Sequence, residues 1–279
     1  MGPQRPIDQC LRPVLTFCCL LALATPAVLV AHPGADAALA YFNQQIREQP
    51  AQQLLYIQRG VIYSNDGQYQ KALEDFRQAA RLGERILVSF DLGVLHYRMG
   101  EFAAARHYFD EFLQRFPNHA ACLEYRARLL RDAGDYGGAV ADFRRLFELR
   151  ERPNPGDFSS VASMLASAGD DAVEQALAIL DQGNSMLGLT PQLQQQAIEL
   201  ELRRGRPDHA IDRLRRLEPL LGESPEWKVD LADLHLAYGD SEYAGRLLAE
   251  ASRQLAAIRR TPARDELRER IALLQQDCF

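Results

Sequence analysis

Lysine is nearly absent from this 279-residue chain: Lys71 and Lys228 stand beside thirty arginines. The 32 basic residues fall short of the 38 acidic ones, and the formal charge is −6. That balance excludes a general nucleic-acid binder, which needs a basic surface to neutralise phosphates, and no polybasic membrane patch occurs. Cysteine is scarce as well. Cys10, Cys18 and Cys19 crowd the first twenty residues, leaving Cys122 and Cys278, too few for a disulfide framework. With 47% hydrophobic and 25% charged residues the chain lacks the low hydrophobicity and charge excess of disorder, so it folds and buries a core.

Motifs that carry chemistry are missing too. No glycine-rich phosphate loop, Gly-x-Ser-x-Gly elbow or His-Glu-x-x-His occurs. None of His32, His96, His107, His119, His209 and His235 sits at a metal-ligand spacing from another His, Cys or carboxylate. Carboxylate pairs such as Asp170 and Asp171 arise by chance in so acidic a helical chain. The expectation is a non-catalytic protein with no cofactor.

The amino-terminal segment reads differently from the rest. Arg5 and Arg12 make a weakly basic start, and Pro13 to Ala31 carries no charge, the pattern of an export signal. Small residues place cleavage after Ala24, Ala27 or Ala31, and Ala31 is favoured because charged, helix-forming sequence begins soon after it. The alternative is an uncleaved segment acting as a membrane anchor, against which Pro26 and its small neighbours argue. Neither Cys18 nor Cys19 follows the Leu, small, small sequence of a lipidation site. Residues 1–31 thus read as a signal peptide and the mature chain as exported, to a bacterial periplasm.

Beyond the leader one feature recurs. Glycines at 67, 100, 134, 169, 205 and 239 are separated by 33, 34, 35, 36 and 34 residues, the signature of a repeat array. In the first unit Gly60, Tyr63, Gly67, Tyr69, Ala72, Phe76 and Ala79 set a pattern that returns as Gly93, His96, Gly100, Phe102, Ala105, Phe109 and Phe112, then as Ala127, Leu130, Gly134, Tyr136, Ala139, Phe143 and Leu146. Each unit reads as two helices, the first ending at the Gly, with small Ala72, Ala105, Ala139, Ala210 and Ala244 where the paired helices cross. Units four to six keep less of the pattern. Pro153 and Pro155 mark Arg150 to Asp157 as a loop and a bend between halves. Residues 32–52 read as a leading half-repeat helix, 53–153 as units one to three, 154–258 as units four to six and 259–279 as a capping helix opened by Thr261-Pro262.

These residues resemble the tetratricopeptide repeat, with small residues at positions 8 and 20, aromatics near 11 and 24, and proline near 32, as at Pro117. The resemblance implies an all-α, right-handed superhelical solenoid of antiparallel helix pairs, about six repeats plus capping helices. It also implies a concave groove, lined by the first helices, that binds a protein or peptide. Carried onto this chain, the groove positions include Asp91, Tyr97 and Arg98 in unit two, Glu124, Tyr125, Arg128 and Arg131 in unit three, and Gln195 and Glu199 in unit five. Arg128 and Arg131 read either as groove cations for an acidic segment or as solvated helix-face charges. Ile57 and Val61 stand where family members that clamp a terminal carboxylate carry Lys and Asn, which disfavours that mode. The function that follows is a scaffold or adaptor of the cell envelope, its partner a protein or peptide. The alternative is an exported small-ligand or metal-binding protein using His32 and the groove's polar residues.

Overall fold

The computed structural model describes residues 34–278; the leader with Cys10, Cys18 and Cys19, and His32, lie outside the described residues. All regular structure in the described chain is helical. The helices are α1 (Ala35–Glu48), α2 (Gln53–Asn65), α3 (Tyr69–Leu82), α4 (Ile86–Arg98), α5 (Phe102–Arg115), α6 (Ala120–Asp132), α7 (Tyr136–Leu149), α8 (Pro155–Ser167), α9 (Asp170–Leu187), α10 (Pro191–Arg203), α11 (Pro207–Arg216), α12 (Glu218–Leu221), α13 (Pro225–Tyr238), α14 (Ser241–Ala256) and α15 (Pro262–Gln276). They divide into two compact units, one ending at Glu151 and the other beginning at Arg152.

In the first unit α2–α3, α4–α5 and α6–α7 form successive pairs, with α1 packed on α2. Each first helix ends the same way. At the end of α4 Gly100 takes φ of +77°, its N–H bonds to the Tyr97 carbonyl at 3.0 Å, and the Glu101 N–H reaches back to the His96 carbonyl at 2.9 Å. The same two bonds close α6 at Gly134, to Arg131 at 3.0 Å and from Asp135 to Leu130 at 2.8 Å. This left-handed ending satisfies carbonyls that the helix leaves open and reverses the chain within three residues, so the second helix folds back on the first.

The first two pairs close over a ring seated on a residue with no side chain, and the third has Ala127 at that place. A methyl group at Gly60 would lie 2.6 Å from the Phe76 ring, and one at Gly93 would lie 2.5 Å from the Phe109 ring. Phe76 and Phe109 have no exposed surface, and Ala72 and Ala105 are equally buried. Burying such a ring contributes about 2–3 kcal/mol, which outweighs the roughly 1 kcal/mol that a mid-helix glycine costs.

The second unit holds the pairs α8–α9, α10–α11 and α13–α14, with α15 against α13 and α14. Its core gathers Trp227, Leu231, Leu248, Ile271 and Leu274 among others, and the Trp227 indole N–H donates to the Leu214 carbonyl at 3.0 Å. The loop expected over Arg150 to Asp157 is shorter, because α8 already begins at Pro155. Proline lacks the N–H that the first turn leaves unused, and the Asn154 side chain caps the turn by accepting the Gly156 N–H at 2.8 Å. Pro191, Pro207, Pro225 and Pro262 open helices likewise. The added length of the fourth unit goes into α9, which runs 18 residues to Gly188.

Partly buried ion clamps tie the pairs together. The Arg126 guanidinium donates to Asp142 twice at 2.7 Å and to Asp110 at 2.7 Å, joining α5, α6 and α7. Arg59 repeats this two units earlier, with Asp75 at 2.6 and 2.8 Å and Asn43 at 2.7 Å. In the second unit Arg213 joins Glu201 and Asp181, and Arg270 joins Asp230 and Asp233. Arginine suits such positions because its planar fork matches a carboxylate with two bonds at once.

The two glycine roles separate experimentally. Gly100→Ala meets no atom and carries only the left-handed backbone penalty, so it should lower stability by about 1 kcal/mol. Gly93→Ala drives a methyl group into the buried Phe109 ring and should cost on the order of 2–3 kcal/mol. Thermal or urea unfolding of both variants checks the order.

Candidate functional site

Among the described residues, no group of three or more His, Cys, Asp or Glu side chains could hold a metal ion. Cys122 and Cys278 are free thiols, the first buried with its Sγ 3.8 Å from the Phe109 carbonyl and its pKa pushed up to about 12, chiefly by burial. His96 stacks on Tyr108 at 5.3 Å and meets Glu101 through Nδ1 at 2.6 Å, a packing role. A hollow of about 610 Å³ touches Asp110, Arg126, Asp142 and Arg145. Its arginines are engaged, Arg126 in the clamp and Arg145 with Asn118.

The remaining surface of interest is the face of the first helices. In the unit ending at Glu151, α4 contacts α2 on one side and α6 on the other. Helix α4 buries Val88, Ser89, Leu92, Gly93 and Leu95 and leaves a less buried stripe of Leu87, Phe90, Asp91, Val94, Tyr97 and Arg98. That spacing is one helical face. Leu54 of α2 and Leu87 of α4 are 59% and 47% exposed, large apolar surface on helices whose other sides are packed.

Polar ties fix the carboxyl ends of the three helices. The Tyr97 hydroxyl donates to Asp132 of α6 at 2.7 Å, and the Arg98 guanidinium donates to Asn65 of α2 at 2.7 Å and Ser64 at 3.2 Å. Desolvation, helped by the Asp132 bond, pushes the Tyr97 pKa up to about 12. Nearer the middle the Tyr125 ring stands edge-on to Phe90 at 6.0 Å and to Tyr97 at 6.1 Å. Aromatic edges and faces of this kind set a firm apolar floor.

Of the nine groove residues read from the sequence, Asp91, Tyr97, Arg98, Glu124, Tyr125, Arg128 and Arg131 lie on α4 and α6 of this unit, and Gln195 and Glu199 lie on α10 of the other. Gln195 donates to Glu199 at 3.3 Å. Within the first unit most of the charges are already matched. Arg128 pairs with Glu124, which also meets Arg150, and Arg131 pairs with Asp132 at 2.9 Å. Arg128 and Arg131, read from the sequence either as groove cations or as solvated helix-face charges, are thus both paired within the chain. The apolar members Leu54, Leu87, Phe90 and Val94 were not singled out, although they occupy the same face positions in units one and two.

Asp91 differs from its charged neighbours. It makes no ion pair or side-chain hydrogen bond among the described residues, and burial alone lifts its pKa from 3.8 to about 6. The folded chain therefore binds the proton more tightly than the unfolded chain, and stability falls as pH rises from about 4 to 6 and stays reduced above. Asp91→Asn should remove that dependence and raise stability at pH 7 by about 2 kcal/mol, as read from denaturation at pH 4 and pH 7.

Two tetratricopeptide repeat models match, one over residues 53–85 and one over 90–155. The chain is 25% identical over 134 residues to "Photosystem I assembly protein Ycf3" of Synechococcus sp. (strain CC9605), covering 43% of this chain and 78% of that one. Among solved structures it is similar to the C-terminal part of a TPR repeat-containing protein from Cytophaga hutchinsonii, with a TM-score of 0.63 at 11% identity over 84% of this chain and 94% of that chain. A tetratricopeptide repeat protein from Parabacteroides merdae is 18% identical, covers 88% of this chain and 92% of its own, and gives a TM-score of 0.48. The matched residues 53–85 and 90–155 span the helix pairs α2–α3 and α6–α7 and most of α4–α5, and over them the chain is similar to the tetratricopeptide repeat.

Proposed function

We propose that this protein is a non-catalytic scaffold or adaptor of the cell envelope that holds an extended peptide or a helix of another protein against the first-helix face of the unit ending at Glu151. The observation that carries the reading is the partly exposed stripe of Leu54, Leu87, Phe90, Val94 and Tyr125 across three adjacent helices whose ends are tied by Tyr97 and Arg98. A rigid apolar strip with a polar margin is the surface on which peptide segments dock. The relative from Synechococcus is named an assembly protein, which fits holding a partner rather than transforming it.

The envelope setting rests on the uncharged run from Pro13 to Ala31 after a basic start. On this reading the mature protein begins at His32, and sequencing its amino terminus in the native host checks it. An intact Met1 in a soluble cytoplasmic fraction overturns export.

Binding is tested by placing a photo-crosslinking residue at Leu87 on the inner stripe and, as a control, at exposed Lys71 on the second helix α3. Illumination in cells should give one discrete heavier species from position 87 and none from position 71. Equal patterns from both, or no adduct from position 87, overturn the groove.

A further inference from the structure

We propose that the partner's docking segment inserts a basic side chain, lysine or arginine, at Asp91, between apolar residues that lie on Leu87, Phe90 and Val94. This rests on the scaffold reading above and adds the chemistry of the occupant.

Asp91 sits midway along α4, the helix with a first helix on either side. One turn before it is the exposed Leu87 and one turn after it is Val94, both on its own stripe. Other charged groups on this face have partners inside the chain: Glu124 pairs with Arg128 and Arg150, Arg131 pairs with Asp132, and Arg98 is held at the far end of the stripe by hydrogen bonds to Ser64 and Asn65. Asp91 has no ion pair or side-chain hydrogen bond among the described residues and sits half-buried between Leu87 and Val94, where burial raises its pKa. An isolated carboxylate in apolar surroundings is unfavourable, and an incoming cation restores what burial removed. An acidic segment would add like charge, whereas the chain's net charge of −6 draws a basic one toward it. The flanking residues of the occupant follow from Leu87, Phe90 and Val94, which offer contact but no hydrogen bonds.

The test is selection of a random 12-residue peptide library on the purified protein, followed by fluorescence anisotropy of the selected peptides on wild type, Asp91→Asn and Leu87→Gln. Selected peptides should share a Lys or Arg flanked by apolar residues. They should bind Asp91→Asn about tenfold more weakly or worse, and replacing the base by norleucine should cost wild type as much and Asp91→Asn little. Asp91→Asn should meanwhile melt higher than wild type, an opposite movement of stability and binding that a structural carboxylate would not give. Loss of affinity on Leu87→Gln with none on Asp91→Asn, or selection of peptides without a base, overturns the cation receptor and leaves the scaffold reading standing. If no peptide is selected, or neither variant weakens binding, both fall.

Discussion

A phenylalanine ring resting on a bare backbone sets the geometry on which the first unit depends. Phe76 against Gly60 and Phe109 against Gly93 bring the two helices of a pair closer than any side chain at those glycines would permit. The close approach fixes the crossing, and the left-handed glycine fixes where the chain turns back to make it. Because both devices recur at one period, successive pairs meet their neighbours in similar ways. The first helices α2, α4 and α6 then come side by side. The face proposed for binding is therefore a consequence of the packing rule rather than a feature added to it.

The parts of this architecture that one residue can impose on its own backbone were legible in the sequence. A glycine at +75° to +80° or a small residue at a crossing leaves a mark at a fixed position, and repetition separates that mark from chance. Proline was harder to read. Pro155 signals interruption when met in sequence, yet at the first position of α8 it starts the helix as readily as it ends another. The ion clamps were not legible at all. Arg59 and Asp75, like Arg126 and Asp142, lie sixteen residues apart on different helices, and their third partners belong to the preceding helix pair or, for Arg59, to α1. No local spacing announces a contact of that kind.

The candidate face shows the same division. Helical periodicity places Asp91, Tyr97, Glu124, Tyr125, Arg128 and Arg131 on the first helices, but charge on a helix face does not reveal which charges are already matched. Arg128 and Arg131 read in sequence either as groove cations or as solvated charges, because their partners Glu124 and Asp132 carry the same outward signature. In the structure both guanidinium groups are paired, Arg128 with Glu124 and Arg131 with Asp132, whereas Asp91 has no such partner among the described residues.

The helix that carries Asp91 also differs from its neighbours in how its pair is held. In the first and third pairs an arginine of the first helix, Arg59 or Arg126, is committed to an aspartate of the second. The middle pair has Leu92 and Tyr108 at the corresponding places, and Tyr108 is engaged instead by stacking on His96. Hydrophobic contact there replaces the clamp, so the helix that carries Asp91 brings no arginine into its centre. With thirty arginines in the chain, a cation could have been placed beside this group at little structural cost. Its absence at the position between exposed Leu87 and Val94 leaves a carboxylate with no partner among the described residues, the match that the proposed basic segment would bring from outside the chain.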